Sequence, residues 1–125
     1  MGNHPEWRGL EGREDLPDLE PHEITKAARE GNNPLAEEAW NLMTGFLGTA
    51  AGNLALTIGA HGGIYIAGGI MPKSVDLMCH TNFRDQFQSK GRFEEYLRAI
   101  PTFMITHPFP AFVGLRAYLC GKQTA

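Results

Sequence analysis

Apolar and polar positions change their rhythm several times along the 125 residues. Residues 1–21 carry charge, Pro5, Pro17 and Pro21, and few apolar side chains. They read as an irregular lead-in, which Leu10, Leu16 and Leu19 could lay over a larger body. A helix is predicted over residues 22–30, stopped by Gly31-Asn32. Asn33 then caps a second helix, with Pro34 in its first turn. That helix should cover residues 35–58. Ala36, Ala39, Trp40, Met43, Phe46, Leu47, Ala50, Ala51, Leu54 and Ile58 recur there with a 3.6-residue period, and Leu35, Leu42 and Ala55 widen the stripe. Small residues at 45, 48, 49 and 52 would let a neighbouring element come close. A helix apolar on nearly every side is expected in a core.

The rhythm then shortens. Residues 63–67, centred on Ile64, Tyr65 and Ile66, read as a short strand ending on Gly68-Gly69. Pro72 should open a helix over residues 73–79. Thr81 or Asn82 can cap another over 83–88, and Lys90-Gly91 breaks it. A third short helix is expected over 92–99, with Phe93, Tyr96 and Leu97 on one face. Residues 102–106 form a second strand between Pro101 and Pro108, and residues 110–119 a closing helix. Two strands make a poor sheet alone. The pattern is α/β, mostly helical with two short strands, and it reads as part of a larger domain.

Charge changes the picture only modestly. The net charge of −3 gives no electrostatic reason to expect nucleic acid as a partner. Residues 1–38 hold ten acids and four bases, whereas residues 39–125 hold four acids and seven bases. The mildly basic part suits an anionic ligand, as it also suits a solvated surface. No charged residue lies between Glu38 and Lys73, and Gly48 and Gly52 form a GxxxG spacing. Polar Asn41, Thr44, Thr49, Asn53 and Thr57 interrupt that run, and no Lys/Arg cluster flanks it, so a buried helix is favoured over a membrane span. The amino terminus lacks the apolar segment of a signal peptide, and a cytoplasmic protein is expected. Glu6 stands where a myristoylation signal wants Ser or Thr.

Cys79 and Cys120 are expected to be reduced and packed. The five histidines lack metal-ligand spacing, and no metal site is expected. His61 and His107, at strand boundaries, read as structural histidines. Asn53 reads as a helix-packing hydrogen bonder, Lys90 and Arg92 as a solvated turn, and Met71, Met78 and Met104 as packing.

Glycines at the carboxyl end of a strand let a ligand's flat face approach bare backbone, and that edge is where nucleotides bind in open α/β sheets. Gly68-Gly69 is therefore the candidate site, with a plain turn of unusual backbone angles as the competing reading.

Three blocks carry a resemblance. GNLALTIGAHGGIYIAGGIMP (from Gly52), SKGRFEEYLRAIP (from Ser89) and ITHPFPAFVGLRAYL (from Ile105), preceded by DLEPHEI at Asp18–Ile24, are similar to the C-terminal region of bacterial-type glucokinase. The likeness covers about residues 7–121, so the whole chain reads as the C-terminal part of that enzyme's large domain. It implies part of a ribonuclease-H-like, actin-like kinase fold of the hexokinase superfamily. The family's activity is phosphorylation of the 6-hydroxyl of glucose by ATP with Mg, the first step of glycolysis. It also implies that Gly68, Gly69 and Ile70 pack against the adenosine of ATP. The family's Asp-x-Gly-Gly-Thr phosphate loop and its Asn-Asp catalytic pair do not occur in this sequence. The sugar-binding residues fall upstream of the matched region, so His4, Glu6 and Glu11 do not take those roles. No catalytic residue is assigned, no tight binding of ATP is expected, and the chain alone should be inactive. The alternative is a non-catalytic nucleotide-binding or assembly module, whose uncovered apolar surface would favour self-association.

Overall fold

A computed structural model describes residues 20–123. The expectations for the irregular lead-in, including Leu10, Leu16 and Leu19, lie outside those residues apart from its last two positions. Helix α1 (Pro21–Glu30) starts at Glu20, whose amide donates to Glu23 Oε2 at 2.8 Å, and ends on Gly31 at φ 65°. Helix α2 (Pro34–Ile58) is capped as expected: Asn33 Oδ1 accepts from the amides of Leu35 and Ala36, both at 3.2 Å. Strand β1 (Ile64–Ile66) follows. Next come a 3₁₀ turn (Met71–Ser74), α3 (Val75–Met78), α4 (Phe83–Gln88), a second 3₁₀ turn (Gly91–Phe93) and α5 (Glu94–Arg98). Strand β2 (Thr102–Met104) and helix α6 (Pro110–Gln123) complete the order.

Element order therefore matches expectation, and the differences are local. Both strands are shorter than expected. The helices expected over 73–79 and 92–99 each begin as a 3₁₀ turn, and the last helix runs on to Gln123. Phe83 N–H reaches Thr81 Oγ1 at 3.4 Å, while Asn82 makes no side-chain cap.

The two strands pair in parallel, with Ile64 opposite Thr102, Tyr65 opposite Phe103 and Ile66 opposite Met104. Parallel strands need a crossover, supplied here by the segment from the glycine pair through α5. Alternation along β1 puts Ile64 and Ile66 on the covered face and Tyr65 on the open one. Tyr65 and Phe103 stack there, centroids 5.0 Å apart and planes 24° apart.

One correction concerns α2. It was expected to be buried on nearly every side, with the small residues at 45, 48, 49 and 52 admitting a neighbour; the second part holds and the first does not. The buried residues are instead Ala36, Trp40, Thr44, Gly45, Gly48, Ala51, Gly52 and Ala55. Phe46 is 72% exposed, Leu54 50% and Ile58 64%. The small-residue face wins because it alone lets α4 approach at backbone distance: a Cβ on Gly48 would collide with the carbonyl oxygen of Phe83, and one on Gly52 with that of Phe87. Ala51 and Ala55 then pack with Ile64, Phe83, Phe87, Leu97 and Ile100 as one core cluster. A second cluster joins Ala28 of α1 to Ala36, Trp40 and Met71. Thr44, fully buried, satisfies its hydroxyl on the carbonyls of Trp40 (2.9 Å) and Asn41 (3.1 Å). Arg84 of α4 ties in α5, donating from Nη2 to the carbonyl of Arg98 at 2.9 Å and lying over the Phe87 ring.

Four smaller expectations resolve as well. Both cysteines are free, but exposed rather than packed, since neither faces a core cluster. Asn53 is exposed instead of bridging helices, and its carbonyl accepts from Thr57 Oγ1 at 2.7 Å. His61 Nε2 lies 3.1 Å from Tyr96 Oη, and His107 Nδ1 accepts from the Phe109 amide at 3.0 Å, so both rings are held structurally. Met71 is buried, with Met78 and Met104 packed against the second cluster.

Glycine to alanine inside a helix ordinarily stabilises by about 0.5–1 kcal/mol. At position 48 the collision with the α4 backbone should reverse the sign, because overpacking costs about 1–3 kcal/mol. Gly48→Ala is thus expected to lower the urea midpoint; an unchanged or raised midpoint would show that α4 is not seated on this face.

Candidate functional site

Gly69 sits at the mouth of a cleft of about 620 Å³. Gly69 and Ile70 form one lip, leading into the 3₁₀ turn and then Lys73 and Ser74. Facing them, α1 contributes His22, Ile24, Thr25, Lys26 and Arg29, and α2 contributes Ala39, Trp40 and Met43. The walls are mostly apolar, and the charged groups among them are the cations Lys26, Arg29 and Lys73. Among the described residues no carboxylate lines the cleft. An aromatic base with an anionic tail suits such a lining; a magnesium ion, which takes carboxylate oxygens, does not.

The two glycines stand there for different reasons. Gly68 has φ 128°, a conformation that a side chain strongly disfavours, so the turn itself requires glycine. It does not line the cleft. Gly69 needs no such angle, and a Cβ built on it meets nothing within 4 Å. The turn reading therefore explains Gly68 and leaves Gly69 without a role in the fold. Ile70 is half exposed at the cleft lip. Of the three residues singled out from sequence, two line the cleft and the third shapes the turn behind it.

The α1 wall was not legible beforehand. It is held by Arg29, whose Nε donates to Asp76 Oδ2 at 2.9 Å and whose Nη2 donates to the carbonyl of Lys73, also at 2.9 Å. This clamp fixes α1 to the segment downstream of the glycines and so sets the width of the cleft. The hydrogen bond from Arg29 holds the Asp76 carboxyl below its ordinary value of 3.8. Trp40, almost fully buried, lies at the base; its Nε1 has no hydrogen-bond partner among the described residues. The signal in the sequence was the spacing of Thr25 and Arg29, one turn apart beside the apolar Ile24 and Ala28.

What the architecture defines is a class: a partial α/β domain with a strand, a glycine turn and a helical wall enclosing a cleft. The comparisons give the family. The glucokinase family model matches residues 6–122, and the chain belongs to the glucokinase family. It is 47% identical over 105 residues to the glucokinase of Paramagnetospirillum magneticum, covering 84% of this chain and 33% of that protein. It is 47% identical over 116 residues to the bifunctional protein glk of Paraburkholderia xenovorans, covering 90% of this chain and 18% of the relative. The crystal structure of a glucokinase from an Antarctic psychrotroph superposes with a TM-score of 0.76 at 29% identity, over 91% of this chain and 35% of the other. The chain thus spans about a third of the length of the glucokinases it matches. No helix among the described residues is long and apolar enough to cross a membrane.

The lowered carboxyl gives the clamp a pH signature. Its stabilising contribution should be complete above the ordinary carboxylate value and lost as pH falls through the lower folded value. Asp76→Asn should therefore melt below the wild type at pH 7, with the gap closing below pH 3.8. A gap that persists unchanged into acid would mean that the carboxylate charge plays no part.

Proposed function

We propose that this chain supplies the adenosine side of an ATP-dependent glucokinase, the enzyme that moves the terminal phosphoryl group of Mg-ATP to the 6-hydroxyl of glucose. The observation that carries this reading is Gly69: a glycine that the backbone does not require, open on its side-chain face, at the lip of a mostly apolar cleft. Adenine would lie on the bare backbone of Gly69, with Gly68 shaping the turn behind it, Ile70 at its edge and Trp40 below. Lys26, Arg29 and Lys73 would meet the anionic tail. Two strands with a covered and an open face are consistent with part of a ribonuclease-H-like sheet.

The chemistry of the transfer is assigned elsewhere in the intact enzyme. Phosphoryl transfer rests on positioning, charge neutralisation and a base that accepts the hydroxyl proton. This chain has neither an Asp-x-Gly-Gly-Thr loop nor an Asn-Asp pair, and the described residues of its cleft include no carboxylate for magnesium. Its own task would be to bind and orient the nucleotide. Alone it should bind ATP weakly and turn over no glucose. A cytoplasmic setting, where ATP and glucose meet, fits this role.

Trp40 provides the test. With Trp7→Phe removing the only other tryptophan, ATP should change Trp40 emission saturably. Gly69→Leu should weaken that response at least about tenfold, or ~1.4 kcal/mol, while melting within about 2 °C of the parent, as surface substitutions do. Equal ATP binding by the Gly69→Leu protein would remove the basis of the assignment. Measurable glucose phosphorylation by the unassisted chain would refute the division of labour.

A further inference from the structure

A buried polar group without a hydrogen-bond partner is rare in a folded protein and calls for a reason. Thr44 shows the ordinary solution: its buried hydroxyl donates to two carbonyls of its own helix. Trp40 does not follow it. The residue is 4% exposed, and its Nε1 is out of reach of solvent and of every described acceptor. An indole N–H donates only, and a buried one ordinarily finds an acceptor. The hydroxyls of Thr25 and Ser74 belong to the same cleft lining, and neither accepts from it. A phenylalanine would fill the position with an apolar ring and leave no donor behind.

The surroundings narrow where an acceptor can come from. Trp40 packs with Ala28 of α1, Ala36 and Met71, whose side chains offer methyl groups and a thioether. The open space beside it is the cleft that it helps to line. The wall over that space is lightly pinned. In the Arg29–Asp76 pair the side chains are 44% and 58% exposed, and exposed ion pairs hold weakly. A small displacement of α1 brings Nε1 within reach of a ligand in the cleft.

We propose that the indole N–H of Trp40 reads the base, donating to a ring nitrogen of the purine seated on Gly69. Adenine presents three such acceptors at its edges, N1, N3 and N7. The mostly apolar walls hold flat rings without telling them apart. A buried donor does tell them apart, because a ring of the same shape without the nitrogen leaves that donor unpaired. Trp40 is then a specificity residue and not only packing. This inference rests on the adenosine reading and adds to it the atom that selects the ring.

The test titrates the chain, nitrogen-15-labelled at its indoles, with ATP and with 1-deaza-, 3-deaza- and 7-deaza-ATP, each lacking one of those nitrogens. ATP should move the Trp40 indole proton downfield and saturably. One of the three analogues should bind at least about tenfold more weakly than ATP and leave that proton in place, while the other two behave as ATP does. In Trp40→Phe, followed through the ligand signals, ATP and all three analogues should bind alike. Should that variant fail to fold, the analogue series on the parent decides alone. The proposal is overturned by an indole proton that ATP does not move, by three analogues that match ATP in affinity and shift, or by a weakened analogue that still moves the proton. A folded Trp40→Phe protein that still discriminates would overturn it too. If the Gly69 and Ile70 amides shift with ATP in these cases, the adenosine reading stands and only the role of Trp40 falls. No saturable binding of ATP would overturn the adenosine reading and this inference together.

Discussion

The approach of α4 to the glycine face of α2 is the constraint on which the rest depends. Two helices with ordinary side chains pack about 8–10 Å apart. Gly48 and Gly52 remove the side chains that would hold the α4 backbone away. This places Phe83 and Phe87 against Ala51 and Ala55, and the same cluster captures Ile64 of β1 and Ile100 ahead of β2. The strands are thereby aligned in parallel, and β1 ends where its glycines meet α1 and Trp40. A cleft between α1 and the glycine turn follows from helix packing some distance away.

The same constraint explains the unbalanced surface. Because the small face of α2 is turned inward, its large apolar residues face outward. A free-standing protein rarely exposes Phe and Leu in a continuous stripe. The open strand edge at Tyr65 and the uncovered aromatic pair Tyr65–Phe103 belong to the same pattern. Among the described residues, a chain matching about a third of a glucokinase leaves these apolar groups exposed.

Much of the fold was legible because its punctuation is strong. Asn33-Pro34, Gly31, Pro72, Pro101 and Pro108 mark boundaries by simple backbone chemistry, and the element order follows from them. In α2 the close approach at the small residues was legible, but the exposure of its larger apolar residues was not. Periodicity selects large apolar residues as the buried face, while close packing selects small ones, and the sequence carries both stripes at once. Which one is covered depends on α4, an element too short to announce its partner. Strand lengths were overestimated because Gly63, Ala67, Ile105 and Thr106 continue the apolar or β-branched pattern beyond the paired residues. At the cleft, Gly69 and Ile70 stood out through their position after a strand. Arg29 and Asp76 lie 47 residues apart, and no local pattern connects them.

The central claim is that the cleft between the glycine turn and α1 receives the adenosine of ATP. Amide and indole NMR of the isotope-labelled chain during titration with ATP tests it most directly. The account predicts saturable shifts at the amides of Gly69 and Ile70 and at the indole N–H of Trp40, with the amides of Tyr65 and of Leu54 on α2 undisturbed. Shifts confined to the α2 face or to α6, or none at millimolar ATP, would contradict it.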